Sequence, residues 1–97
     1  MYNTQEVTLQ DVVKQAEGTV VSEMDGEMVM LSIEKGKYYN LGEIGGKIWE
    51  LIKEPTAVHK VVHILTTLYE VELSECEAHV ISFLDELLKE ELVLIRE

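Results

Sequence analysis

His59 and His63 stand four residues apart in Val58-His59-Lys60-Val61-Val62-His63, a spacing that puts two imidazoles on one side of a helix, within reach of one metal ion. Such a site needs a third ligand, and the glutamate of an H-E-x-x-H pattern is absent, so the pair reads as two solvated histidines. Cys76 and His79 share a helical face three residues apart, and a thiolate close to a helix N-terminus can be acidified. No residue nearby supplies an orienting third group or an oxyanion hole, so Cys76 reads as a half-buried structural cysteine. Gly42-Glu43-Ile44-Gly45-Gly46 offers glycine amides ahead of a helix, where they can cradle an anion. Neither the G-x-G-x-x-G spacing nor a Walker lysine-serine pair follows. Gly42 therefore reads as a strand end, and Gly45 and Gly46 as points of close helix packing. The chemistry-bearing residues thus point away from an enzyme, a metal centre or a cofactor.

The composition narrows the partners. The chain has 97 residues, 46% of them hydrophobic, with a single proline, which suits one compact core and a single domain over residues 1–97. Nineteen acidic residues against 8 basic ones give a net charge of −11, and Arg96 is the only arginine. Nucleic acid and anionic membrane surfaces both demand Lys and Arg, so neither is an expected partner. A neutral or basic peptide, or another protein, is what this field steers inward. The lone Cys76 excludes an internal disulfide and fits a reducing compartment. No apolar run approaches the roughly 20 residues that cross a bilayer, and the opening residues lack a signal-peptide pattern, so the expected location is cytoplasmic.

The elements that position these residues follow from periodicity. Val7, Leu9, Val12 and Val13 suggest a short strand or arm. Thr19 to Met24 and Glu27 to Ile33 are β-rich runs separated by Asp25-Gly26, a pair suited to the positive φ angles of a type I′ hairpin turn. A turn at Lys35-Gly36 leads to Lys37-Tyr38-Tyr39-Asn40-Leu41, the third strand of a meander. In the second strand Val29, Leu31 and Ile33 form one face and Met28 and Met30 the other. The period then changes to about 3.6. A first helix carries Ile44, Ile48, Leu51 and Ile52, flanked by Trp49, and ends before Pro55. A second, capped by Thr56, carries Val58, Val61, Val62, Leu65 and Leu68 as far as about Tyr69. Ser74-Glu75-Cys76-Glu77 has the form of a capping box, opening a third helix to about Glu91 with Val80, Phe83, Leu84 and Leu87 as its stripe. Leu92 to Ile95 is a strand or an extended tail. The order predicts an α+β, winged-helix-like domain, a three-stranded antiparallel sheet packed on three helices. The third helix bears Glu75, Glu77, Asp85, Glu86, Glu90 and Glu91 against Lys89 alone, which is wrong for a DNA reader.

In a meander the third strand lies at an edge, where its unpaired backbone groups can take up another chain by β-augmentation. Surplus apolar surface on the third helix at Ile81, Leu84 and Leu88 would complete a groove able to hold a peptide. The same edge can pair with a second copy, and the Met28 and Met30 face offers soft apolar surface for such a homodimer.

Asp25-Gly26, Tyr38-Tyr39-Asn40-Leu41 followed by Ile48-Trp49, Tyr69, and Val80, Phe83-Leu84 and Leu87 together resemble the PqqD-like proteins, also called RiPP recognition elements, over about residues 7 to 95. The resemblance implies a winged-helix-like fold and a binding function without catalysis. Members hold the leader segment of a ribosomally made precursor peptide as an added strand between the third strand and third helix, and so deliver it to modifying enzymes. On this chain it implies main-chain contacts at Lys37, Tyr38, Tyr39, Asn40 and Leu41, and a side-chain pocket at Ile81, Leu84, Asp85 and Leu88. Which of Tyr38 and Tyr39 faces the cleft stays open. The chain is most similar to stand-alone leader-binding proteins of lasso-peptide biosynthesis, which work with a separate leader peptidase. The related protein of the quinone-cofactor pathway partners a radical SAM enzyme. The competing reading is an acidic winged-helix transcriptional regulator or a protein-interaction module.

Overall fold

At Asp25-Gly26 the backbone takes φ values of 55° and 81°, the left-handed geometry that a two-residue hairpin turn needs and that Gly tolerates without cost. The computed structural model describes residues 7–96. Its elements are β1 (Val12–Gln15), β2 (Thr19–Met24), β3 (Glu27–Ser32), β4 (Lys37–Leu41), α1 (Gly42–Leu51), β5 (Thr56–Ala57), α2 (Val58–Leu68), α3 (Leu73–Lys89) and β6 (Val93–Arg96). The expected meander forms as an antiparallel sheet of order β2-β3-β4. Gly36 closes its second turn with φ 65° and an N–H donated to the Ser32 carbonyl at 2.7 Å.

A second antiparallel sheet, of order β5-β1-β6, goes beyond the single sheet expected. The apolar residues near both ends of the chain supply it. Val13 and Val93 are fully buried, and β1 pairs along its whole length with β6 from Val12 opposite Arg96 to Gln15 opposite Val93. Gln15 N–H also donates to the Ile52 carbonyl and Val58 N–H to the Asp11 carbonyl, so this sheet is stitched to the ends of α1 and α2. The α+β class stands, with two sheets around three helices.

The core is a continuous apolar cluster in which Ile48 of α1 and Ile52 just past its end, Val61 and Leu65 of α2, and Val80 and Leu84 of α3 are buried together with Met30. Met30 is 0% exposed, and its sheet neighbour Met28 packs over α1, where a Cβ on Gly46 would lie 2.7 Å from Met28 Cβ. The methionine face is therefore the inner face of the sheet, which removes it as a dimer surface. Two expected caps are also corrected. α2 begins after Ala57, with no side-chain cap, because Thr56 lies in β5 and its hydroxyl is turned to the Leu51 and Glu54 carbonyls at 2.9 and 2.8 Å. α3 starts two residues earlier than a capping box requires, with Glu72 at its N-cap, and Ser74 is already helical with its hydroxyl donating to Glu72 Oε1 at 3.0 Å.

Candidate functional site

Among the described residues β4 pairs with β3 alone, so there it is an edge strand whose second row of backbone groups is unpaired within the sheet. Its register decides where its side chains point. Tyr39 sits opposite the buried Met30 and Tyr38 opposite Leu31, so alternation puts Lys37, Tyr39 and Leu41 on the inner side and Tyr38 and Asn40 on the outer. Tyr38 is 76% exposed, whereas Tyr39 is half-buried and its hydroxyl donates to Glu90 Oε1 at 2.9 Å. The choice between the two tyrosines is thereby made: Tyr39 faces α3. Partial burial, and then the Glu90 carboxylate, push the Tyr39 phenol pKa upward. Asn40 closes the turn out of the strand, its Oδ1 accepting the Gly42 N–H at 3.0 Å and its amide donating to Glu27.

α3 runs past this strand in the opposite direction. Lys37 Nζ lies 3.9 Å from Glu90 Oε1, which ties the start of β4 to the end of α3. At the other end of the strand, a Cβ on Gly45 would meet Phe83 Cε1 at 2.9 Å and Leu41 Cβ at 3.3 Å, so only glycine lets α1 fit between these side chains. His79, Phe83, Glu86 and Glu90 recur at helical spacing along the β4 side of α3. Leu41, Ile44, Gly45, Ser82, Phe83 and Glu86 are among the residues lining an open hollow of about 300 Å³ at the end of β4. Glu86 is exposed at its rim.

The structure does not bring the expected pocket residues to this place. Leu84 is 0% exposed and belongs to the core. Ile81, Asp85 and Leu88 lie on the other flank of α3, about 170° round the helix from the Phe83 row at 100° per residue. There Asp85 Oδ1 accepts the Val7 N–H at 2.8 Å, and Ile81 and Leu88 pack half-buried against the core. The residues that do stand on the β4 side of α3, and that the sequence reading did not single out for it, are His79, Ser82, Phe83, Glu86 and Glu90. Their i, i+4, i+7, i+11 row was visible, but only the pairing of Tyr39 with Glu90 and the seat of Phe83 on Gly45 show that this flank meets the strand.

The candidate chemical residues carry no reactive arrangement. Cys76 is buried, its thiol lies 3.9 Å from the Val62 carbonyl, and burial followed by the nearby Glu77 charge raises its pKa, the reverse of an activated thiolate. His59 and His63 are exposed, and among the described residues no group of three or more His, Cys, Asp or Glu side chains is placed to hold a metal ion. No helix among them is long and apolar enough to cross a membrane.

The sequence profile of coenzyme PQQ synthesis protein D matches residues 27–93, from β3 through the first residue of β6 and so across the whole candidate cleft. The chain belongs to the PqqD family. Solved structures agree with that membership. TbiB1 in complex with the TbiA(beta) leader peptide is 29% identical with a TM-score of 0.74, over 82% of this chain and 93% of that one. A lasso peptide synthetase B1 complexed with the leader peptide is 23% identical with a TM-score of 0.74, over 84% and 96%. The PqqD truncation of Methylobacterium extorquens PqqCD, a stand-alone RiPP recognition element, is 18% identical with a TM-score of 0.77, over 91% and 94%. The last two likenesses speak to the fold alone. No curated protein matches the chain in sequence. The PqqD-like resemblance read from Asp25-Gly26, Tyr38 to Leu41 and the third helix therefore holds at the level of the family.

Proposed function

We propose that this protein is a non-catalytic recognition element that binds the leader segment of a ribosomally made precursor peptide and delivers it, in the cytoplasm, to a leader peptidase or another modifying enzyme. The observation that carries this reading is the unpaired edge of β4 facing the His79-Phe83-Glu86-Glu90 row of α3. Backbone hydrogen bonds to Lys37 through Leu41 set the register of the added strand, and its inward side chains meet Tyr39, Leu41 and Phe83. The exposed Glu86 favours a leader that carries Lys or Arg at that level. Membership of the PqqD family and the likeness to TbiB1, solved with a leader peptide, support the same reading. All of residues 1–97 act as one binding unit.

The test is an anisotropy titration of the fluorescently labelled leader of the precursor encoded beside this protein, in moderate salt. Saturable binding is expected. Phe83→Glu should weaken it by about tenfold or more, roughly 1.4 kcal/mol, because it buries a charge against the incoming strand. Ile81→Glu, on the far flank, should leave affinity within about threefold while both variants keep native circular dichroism. Equal losses from both would place the pocket elsewhere, and no binding by the folded protein would leave a protein-interaction module of another kind.

A further inference from the structure

Two side chains of β4 converge on one carboxylate at the end of α3. Glu90 Oε1 accepts the Tyr39 hydroxyl at 2.9 Å and lies 3.9 Å from Lys37 Nζ, and beside them Lys35 Nζ lies 3.9 Å from Glu91 Oε1. The backbone that carries Glu90 is itself held. Glu91 ends the helix in the left-handed region at φ 63°, Leu92 N–H donates to the Leu87 carbonyl at 2.8 Å, and Leu92 and Val93 are buried in the core. The other end of β4 is different, because Leu41 borders the hollow of about 300 Å³, with Ser82, Phe83 and Glu86 around it. Along one strand, therefore, the gap to α3 is spanned by side chains at Lys37 and Tyr39 and open at Leu41.

We propose that Glu90 is a specificity-determining residue that works by exclusion: it holds Tyr39 and Lys37 across the gap between β4 and α3, so that the leader residue facing Lys37 must be small. The inference rests on the leader-binding reading above and adds to it a position that rejects. Residues directly opposite each other in paired strands point to the same face. A strand added to the β4 edge therefore sends its inward side chains down at the levels of Lys37, Tyr39 and Leu41. The one at Leu41 has the hollow beneath it. The one at Lys37 meets space already taken by two side chains, and a large group there must break the bond from Tyr39 to the carboxylate, a charge-assisted contact of the stronger kind. Glycine, alanine or serine fits that level. Exclusion also fixes the register. A leader that slips by two residues keeps its inward and outward faces, but its large inward residue moves toward the closed end, and such a built-in clash is what separates one register from the next.

The test is a tryptophan scan of the leader of the precursor encoded beside this protein. Each position of its strand-forming stretch is replaced in turn, and affinities are measured by competition anisotropy on the full-length protein and on Glu90→Ala, Glu90→Gln and Tyr39→Phe, each checked by circular dichroism. The quantity read is the loss relative to the natural leader on the same protein. At one position tryptophan should cost about tenfold or more on the wild type and within about threefold on Glu90→Ala. Glu90→Gln, whose amide oxygen still accepts the hydroxyl, should keep most of the loss. Tyr39→Phe, which retains the ring without the bond, should relieve part of it and decides the matter by itself if Glu90→Ala does not fold. The relieved position should lie four residues from the one whose alanine substitution matters to the wild type but not to Phe83→Ala, as Lys37 lies four from Leu41. Tryptophan tolerated throughout by the wild type, or losses unchanged by Glu90→Ala and Tyr39→Phe, overturns the exclusion while the strand-edge reading survives on the binding of the natural leader. A natural leader that does not bind the folded wild type overturns both.

Discussion

Cys76 and Tyr39 both hold their protons more tightly in the folded protein than in the unfolded chain. Burial and the Glu77 charge raise the Cys76 thiol above its ordinary 9.0, and partial burial with the Glu90 carboxylate raises the Tyr39 phenol above its ordinary 10.0. For groups shifted upward, the folded state binds more protons than the unfolded state between the two pKa values, so stability falls as pH rises through that window. The contribution is complete below the unfolded values and drains away above them. Urea midpoints should accordingly change little from these groups near neutrality and decline from about pH 9 upward, with Cys76→Ser and Tyr39→Phe each flattening part of the decline. At neutral pH Cys76 should react with alkylating reagents far more slowly than a free cysteine, since only the thiolate attacks. His59 and His63 are both exposed, as expected for two solvated histidines at i, i+4.

Between elements, α1 approaches β3 closely at Gly46. A methyl group there would sit 2.7 Å from Met28 Cβ, an atom fixed to the strand backbone and unable to swing aside. Gly46→Ala gains about 1 kcal/mol of helix propensity and incurs about 1–3 kcal/mol of overpacking, and because the obstructing atom is rigid the loss should win. Denaturant titration should show a net destabilisation of about 1–2 kcal/mol. Elements were legible in the sequence wherever a local rule had one solution. Asp25-Gly26 allowed only a tight hairpin, and the switch of period after Leu41 allowed only helices. The cleft was half legible. The β4 edge followed from strand order, but α3 is apolar over a wide arc, and its sequence does not say whether the flank with Phe83 or the flank with Ile81 meets the strand. That choice is made by Gly45, which admits Phe83, and by Tyr39 reaching Glu90, contacts between residues 38 and 51 positions apart. Strand alternation likewise separates Met28 and Met30 from Val29 and Leu31 without saying which pair faces inward. The caps at Thr56 and Ser74 failed because each hydroxyl had a nearer partner.

For the molecule as a whole, a charge of −11 is a self-repulsion that the few cross-element ion pairs do not offset. Lys35 to Glu91 and Lys37 to Glu90 are both 3.9 Å contacts with solvent-exposed partners, each of small worth. Raising salt from about 10 mM to about 1 M shortens the screening length from about 30 to about 3 Å and weakens repulsion across the surface more than it weakens these pairs. The urea midpoint should therefore rise with added sodium chloride, whereas a fold held by its ion pairs would lose stability. The second sheet carries a different consequence. Its central strand, β1, joins β6 across almost the full length of the sequence, while the meander and the helices are built from neighbours. Closing so long a loop is the entropically dearest step in reaching the native state, so the pairing of Val12–Gln15 with Val93–Arg96 should be the slow event of refolding. A circular permutant that links the two ends through a short flexible tether and opens the chain at the exposed Asp25-Gly26 turn converts this remote pairing into a hairpin. In stopped-flow measurements it should refold several times faster than the natural chain order.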